Sequence, residues 1–375
     1  MKIAMISPIL AATPPHATGP QEQDVSVLTE ALVARGHDVT LYATGDSRTR
    51  GKLKYIRAQG FGALLPSIPK YGDVLYNHAL MEHTCWAFAD AAASGVDVVH
   101  THRPLGLLYH RAFGLPHVNS LHHGFSEGNL AARPYNDAYF RFFDQFSDVE
   151  IVAVSRAQAE AYSPELGIRV IHLAVDYPRF TVGPAGGRDY LLFMGRIVPV
   201  KGLHLAIEVA RETGLRLKIA GALDNLHSDL PYYRRHIEPK LDGDQIQYVG
   251  EATSESKIGL LGGALALLCP IQWDEPLAVS MLEAMACGTP VIAFRRGCAA
   301  EVIDEGVTGH VCDDLPTMVA RVRALATGTF DPGAVRRHGE ARFSVERYAR
   351  AHEEAYLAAI ARHGRARGGG TRPGG

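Results

Sequence analysis

Two glutamates eight residues apart, Glu275 and Glu283, stand in the segment WDEPLAVSMLEAMACGTPVIAF (273–294), with only Pro276 and small or apolar residues between them. Glu275 follows the apolar run ALALLCP (264–270) by a short loop. That places it at the carboxyl end of a parallel strand, where open α/β sheets bind their ligands. Pro276 suits the first turn of a helix and Gly288-Thr289-Pro290 ends one, so a helix is expected over 277–287. Eight residues at 100° each return Glu283 to within roughly 80° of the direction of Glu275, about 12 Å along the axis. Both carboxylates can then face one elongated cleft and accept hydroxyls at the two ends of a nucleotide-sugar. The competing reading makes Glu275 a partner of the helix dipole and Glu283 a satisfied, half-buried carboxylate.

A second constellation favours the cleft. GRIVPVKG (195–202) follows the apolar run YLLFM and precedes a helical pattern, so Arg196 and Lys201 sit on a loop at the carboxyl edge of the same sheet. An arginine fork and a lysine point charge beside free helix amides suit a diphosphate. The loop is not a Walker A motif, because Val200 precedes the lysine and Gly202 follows it. In the amino-terminal half, NSLHHGF (119–125) puts His122 and His123 at a strand end. Adjacent histidines invite a metal, but neither H-E-x-x-H nor a third ligand at motif spacing accompanies them, so no metal ligand is assigned. Asp242-Gly243-Asp244 precedes an apolar strand rather than following one and reads as a turn.

The elements that must position these groups alternate. KIAMI, then DVSVLTEALVARGH, then DVTLYA reads strand, helix, strand, with Gly36 closing the helix. VDVVHTH, HVNSLHH and VEIVAVS continue as strands. Tyr177–Asp189, rich in Gly and Pro, breaks the pattern, and a second series of strands and helices starts at Tyr190. The fold class is therefore α/β: two Rossmann-like, doubly wound parallel-sheet domains facing a cleft. We expect 1–176 as a first domain, 177–189 as linker and 190–340 as a second domain. A helix over 341–362 can cross back to the first domain. The stretch 363–375, without apolar residues at its end, reads as a disordered tail.

At 375 residues two domains are the natural prior. A net charge of −2 gives no reason to expect nucleic acid as a partner. No apolar run is long enough to span a membrane, so membrane contact is at most peripheral. The five cysteines form no C-x-x-C pair and fit buried thiols in a reducing, cytoplasmic setting. MKIAMISPILAATPP has the outline of a short signal peptide, but the strand and turn signals after Lys2 favour a first β-strand, Lys2–Ile6.

With these motifs in place, the chain resembles retaining glycosyltransferases of the two-Rossmann-domain (GT-B) type, family 4 (glycosyl transferases group 1). That family carries a Glu-x7-Glu motif, matched by Glu275 and Glu283, and a G-R-x4-K-G loop, matched by Gly195, Arg196, Lys201 and Gly202. The likeness extends through SRAQAEAY, YVGEATSESK, CGTPVIAF and RGCAAEVIDEGVTGHV. It implies a nucleoside-diphosphate-sugar donor, held by the second domain, with the first domain on the acceptor side. With Arg196, Lys201 and helix N-termini to neutralise charge and no credible Asp-x-Asp, no metal or other cofactor is expected. Arg196 and Lys201 would bind the diphosphate, with Gly19, Gly195 and Val279. Glu275, Leu277 and Ala278 would hold the transferred sugar and Glu283 the ribose, while Val249 and Glu251 would line the nucleobase. His122 would lie beside the reacting sugar. The implied acceptor is a hydroxyl of a carbohydrate, a lipid-linked sugar or a small natural product.

Some positions depart from the family pattern. The early loop reads TGPQEQ, with Pro20 in place of a second glycine, which removes one N–H. Ala278 replaces a glycine, Leu277 an aromatic, and LAVD (173–176) stands for NGVD. A non-catalytic nucleotide-sugar-binding subunit, or an epimerase or phosphorylase of the same fold, are the alternatives. Slow donor hydrolysis without acceptor separates a transferase from a binder.

Overall fold

Short apolar runs flanked by turn residues fold into thirteen strands among the described residues, all of their pairings parallel. The structure is a computed structural model that describes residues 1–16, 19–67, 72–122, 143–162, 166–184, 186–223, 229–328 and 330–368. The first sheet holds β1 (Lys2–Ile6), β2 (Asp38–Tyr42), β3 (Lys52–Lys54), β4 (Val98–Thr101), β5 (His117–Leu121), β6 (Glu150–Ala153) and β7 (Arg169–Val170). Their spatial order is β3-β2-β1-β4-β5-β6-β7. The second holds β8 (Tyr190–Met194), β9 (Arg216–Ala220), β10 (Ile246–Gly250), β11 (Ala264–Cys269), β12 (Val291–Phe294) and β13 (Gly309–Cys312). It repeats the plan as β10-β9-β8-β11-β12-β13. The order of strands in each sheet reverses once, between β1 and β4 and between β8 and β11. Ligands bind such sheets at the carboxyl ends beside that reversal.

Helices cover both faces because the central strands are buried on both: β4, β5 and β6 have no exposed residue. The helices that matter for the site are α1 (Pro20–Ala34), α2 (Gly72–Ser94), α3 (Gly106–Phe113), α4 (Arg156–Ala161), α5 (Leu203–Thr213), α6 (Ser256–Gly263) and α7 (Val279–Ala286). They are followed by α8 (Ala299–Val302), α9 (Leu315–Thr327), α10 (Pro332–Phe343) and α11 (Val345–Gly368). α5 shows the local logic. Leu203, Ala206, Ile207, Val209 and Ala210 recur at helical spacing and are fully buried against β8 and β9, and left-handed Gly214 stops the helix.

Polar residues inside the first sheet pair with one another. His100 Nε2 meets Ser120 Oγ at 2.8 Å and Nδ1 meets Tyr356 OH at 2.9 Å. Asn119 donates to Thr101 Oγ1 at 2.6 Å. A buried polar group left without a partner costs about 1–3 kcal/mol, so this network ties β4, β5 and α11 into one arrangement.

α11 does cross back. Tyr348, Ala355, Tyr356 and Ala359 pack with Ile3, Met5, Leu28 and Val98 in the first domain's core. Arg35 on the turn after α1 forms a fork with Glu353, at 2.7 and 2.8 Å, and reaches Glu346 at 2.7 Å. The Arg35 guanidinium holds the Glu353 carboxyl down to about 2. The helix runs to Gly368, which corrects the expected disordered stretch: 363–368 is helical, and 369–375 lies outside the described residues.

The linker is packed down. Arg188 donates to Ala264 O at 3.0 Å and Thr289 Oγ1 at 2.7 Å, and Arg336 donates to the carbonyls of Tyr177, Phe180 and Ala286. Among the described residues no helix is long and apolar enough to cross a membrane.

Candidate functional site

Both constellations from the sequence meet at the β8/β11 reversal. Gly195 ends β8, and its N–H donates to Ala220 O of β9 at 3.0 Å. The following loop makes one 3₁₀ turn over Pro199–Lys201 and stops at Gly202. Gln272 staples this loop to the one after β11: its N–H donates to Val200 O at 2.8 Å and its Nε2 to Pro199 O at 3.1 Å. Lys201 is thereby held opposite Glu275, with Nζ 2.5 Å from Oε2 and 5.8 Å from the Trp273 ring centre. Glu275 is buried and takes its position from the backbone, its carbonyl accepting the N–H of Cys298 at 3.0 Å.

The helix after Glu275 starts at Val279, not at Leu277. Leu277 and Ala278 instead drop their side chains into the core beside Trp273, and Ala278 caps the helix with extended backbone. No side chain caps α7. Its first amides are the orphan donors that bind anions at helix N-termini. Glu283, one turn into α7, pairs with Lys257 of α6. So each motif glutamate carries an ammonium partner, and the two pairs sit at opposite ends of one segment. Val249 is exposed on edge strand β10, and Glu251 is exposed just past its end. Arg196 stands half-buried at the start of the β8 loop.

Across the cleft, His122 ends β5 and His102 follows β4. His102 Nδ1 lies 2.9 Å from His122 Nε2, and His102 Nε2 lies 3.2 Å from Met5 Sδ. Burial first, then the neighbouring His122, holds the His102 imidazole well below its usual range. Asp24 of α1 approaches His122 Nε2 to 3.9 Å while both its oxygens accept from Tyr348 OH at 2.8 Å. Burial pushes the Asp24 carboxyl up to about 7, against the Tyr348 hydrogen bond. His123 lies outside the described residues. Gly19 caps α1 in front of Pro20, and the Glu22 carboxylate reaches back toward it and accepts from the Ala11 N–H. A carboxylate thus stands at the α1 N-terminus.

The domains also touch through Glu301 of α8, which sequence spacing did not single out. Its carboxylate accepts from the Arg156 N–H, at 2.8 and 3.0 Å, and meets His172 Nε2 at 2.6 Å. These residues line a cleft cavity of about 470 Å³ that reaches Gly297, and the Gly297 N–H donates to Asp274 Oδ1 beside Glu275. Cys269, Cys287, Cys298 and Cys312 are buried, as expected, whereas Cys85 is exposed. Burial pushes the Cys298 thiol up to about 12, which keeps it an inert packing group.

Two parallel sheets, each with one reversal of strand order, define a two-domain, Rossmann-like architecture of the GT-B type. The chain belongs to the glycosyltransferases of family 4. The model described as Glycosyltransferase Family 4 matches residues 21–179 and that described as Glycosyl transferases group 1 matches 178–326. The putative glycosyltransferase YtcC of Bacillus subtilis is 31% identical over 284 residues, 66% of this chain and 68% of the relative. AviGT4, a glycosyltransferase involved in avilamycin A biosynthesis, superposes with a TM-score of 0.69 at 24% identity, over 96% of this chain and 98% of that one. Anabaena HepE in complex with UDP-glucose superposes at 0.69 and 16% identity, over 96% and 100%. At those identities the superpositions speak for the fold alone.

Proposed function

We propose that this glycosyltransferase moves a sugar from a nucleoside diphosphate to an acceptor hydroxyl with retention at the anomeric carbon, in the cytoplasm. The observation that carries the reading is the pair of ammonium-held carboxylates, Glu275–Lys201 and Glu283–Lys257, set along one uncapped helix at the β8/β11 reversal. That spacing matches a donor whose sugar and ribose present hydroxyls on either side of a diphosphate. In this reading Arg196, Lys201 and the α7 amides stabilise charge on the departing diphosphate, which is the largest electrostatic demand of the step. Glu275 positions the sugar, Glu283 the ribose, and Val249 with Glu251 flank the base. His122 lies beside the transferred sugar. The acceptor hydroxyl, of a carbohydrate, a lipid-linked sugar or a small natural product, attacks the anomeric carbon from the face the diphosphate leaves, and its proton passes to the departing phosphate oxygen.

Arg196→Ala and Lys201→Ala should each weaken nucleoside diphosphate binding by about 1.5–3 kcal/mol, roughly tenfold to hundredfold in Kd. Isothermal calorimetry reads this directly, and unchanged affinity in both variants would sink the diphosphate assignment. Because fixed cations and helix amides do the neutralising, turnover is expected to persist in EDTA. Complete loss in chelator with rescue by Mg²⁺ or Mn²⁺ would refute it.

One observation favours a second reading, that of a nucleotide-sugar binder without turnover. The α1 N-terminus, at the first sheet's own reversal, presents Pro20 and the Glu22 carboxylate rather than free amides. Release of nucleoside diphosphate from the donor without acceptor decides between the two.

A further inference from the structure

Local spacing offered His122 no third metal ligand, but the fold supplies one from far along the chain. Asp24 of α1 and His102 at the end of β4 converge on His122 at the end of β5. The ligand atoms of the three side chains all lie within 4.8 Å of one another. His102 Nδ1 is 2.9 Å from His122 Nε2, and His122 Nε2 is 3.9 Å from Asp24 Oδ2. A tetrahedral ion with metal–ligand bonds of about 2.0–2.2 Å sets its ligand atoms roughly 3.3–3.6 Å apart. Those two edges bracket that spacing to within a few tenths of an ångström, and the remaining one has to close by at most about 1.5 Å. That edge joins His102 to Asp24, so a small turn of the Asp24 carboxylate about its own bond, together with the His122 ring, has to close the site.

Two of the three groups are also oriented from behind. The Met5 sulfur faces His102 Nε2, so that nitrogen carries the proton and Nδ1 turns its lone pair to the cluster. Tyr348 OH, on the returning helix α11, donates to both oxygens of Asp24. Metal sites use this kind of backing to fix the tautomer and direction of their ligands.

We propose that Asp24, His102 and His122 form a site for a transition-metal dication of the Zn²⁺ class, with a fourth position left for water. Two imidazoles and one carboxylate are a donor set for Zn²⁺ or Co²⁺, not for Mg²⁺ or Ca²⁺. The site lies in the first domain, whereas the diphosphate loop lies in the second. Its consequence rests on the role given above to His122: an ion holding that imidazole draws it away from the sugar, and Zn²⁺ inhibits transfer.

The test uses the tag-free full chain with no donor or acceptor present. Co²⁺ is titrated while its visible absorption is followed, and Zn²⁺ by calorimetry and by the shift in Tm. One equivalent should bind and raise Tm as occupancy rises. Tyr348→Phe should weaken binding by about tenfold to a hundredfold, as loss of a backing hydrogen bond does. Asp24→Asn and His102→Gln, both near-isosteric, should weaken it further. Absence of saturable binding to the wild-type chain overturns the site outright, whatever the variants do. Equal binding by His102→Gln also overturns it, by placing the ion on surface histidines or Cys85. Metal bound at the triad without loss of transferase activity leaves the site standing and overturns the inhibition. Failure of the transferase reading itself would appear instead as no turnover in metal-free enzyme.

Discussion

Glu275→Gln is expected to lower kcat about a hundredfold while KM for the donor stays near its wild-type value. The side chain is buried and fixed at 2.5 Å from Lys201, so it holds the reacting sugar rigidly. Misplacing a reacting centre by about 1 Å costs on the order of a hundredfold in rate. Amide for carboxylate also frees Lys201 from its ion-pair partner. The lysine then meets the phosphates without first giving up Glu275, which offsets ground-state binding lost at the sugar. Glu283→Gln should behave in the opposite sense. Its ribose contact is remote from bond breaking and equally strong in ground and transition states, so KM should rise by about tenfold with kcat little changed. Steady-state kinetics on the two variants decides it. Equal kcat losses, or a larger one for Glu283→Gln, would overturn the division of labour.

The parts of this site that are contiguous in sequence were legible from it. Apolar runs followed by Gly-Arg or by a Glu-Pro step locate strand ends, and alternation with amphipathic helices fixes two parallel sheets. Glu275 and Lys201 were read separately, yet each lies at a carboxyl strand end beside the same reversal, so parallel topology alone brings them together. Lys257, Asp24 and His102 were not legible, because each meets its partner through packing of elements distant in the chain. Glu301 is a similar case: only the apposition of two domains turns an ordinary helical glutamate into an acceptor for the Arg156 N–H. Boundaries moved where local signals were overruled. Leu277 and Ala278 have helical propensity but pack their side chains into the core, which delays α7 to Val279. The two short strands β3 and β7 carry too few residues to show a period. The last helix continues past 362 because arginine and alanine favour helix even without an apolar face to bury.

Gly202→Ala should severely damage the loop that carries Lys201. Gly202 adopts φ 75°, ψ 24°, and a Cβ there would stand 1.9 Å from the Pro270 carbonyl oxygen and 2.8 Å from its carbon. Left-handed backbone in a residue other than glycine costs about 1–3 kcal/mol. The clash adds to that, because a main-chain carbonyl at the end of β11 cannot rotate aside as a flexible side chain would. The two loops must part, and the Gln272 staple that sets Lys201 opposite Glu275 runs between them. Stability should fall by about 3 kcal/mol, or roughly 6–12 °C in Tm for a domain of this size. Nucleoside diphosphate affinity should fall at least about tenfold, the loss of one charge-assisted contact. Gly214→Ala is the control. It has nearly the same backbone, φ 72°, but nothing lies within 4 Å of its Cβ position. That variant should lose stability through backbone strain alone and bind nucleoside diphosphate like wild type. Thermal unfolding and calorimetry on both proteins separate strain from displacement. Wild-type affinity in folded Gly202→Ala would show that the loop binds no phosphate from the position its packing enforces.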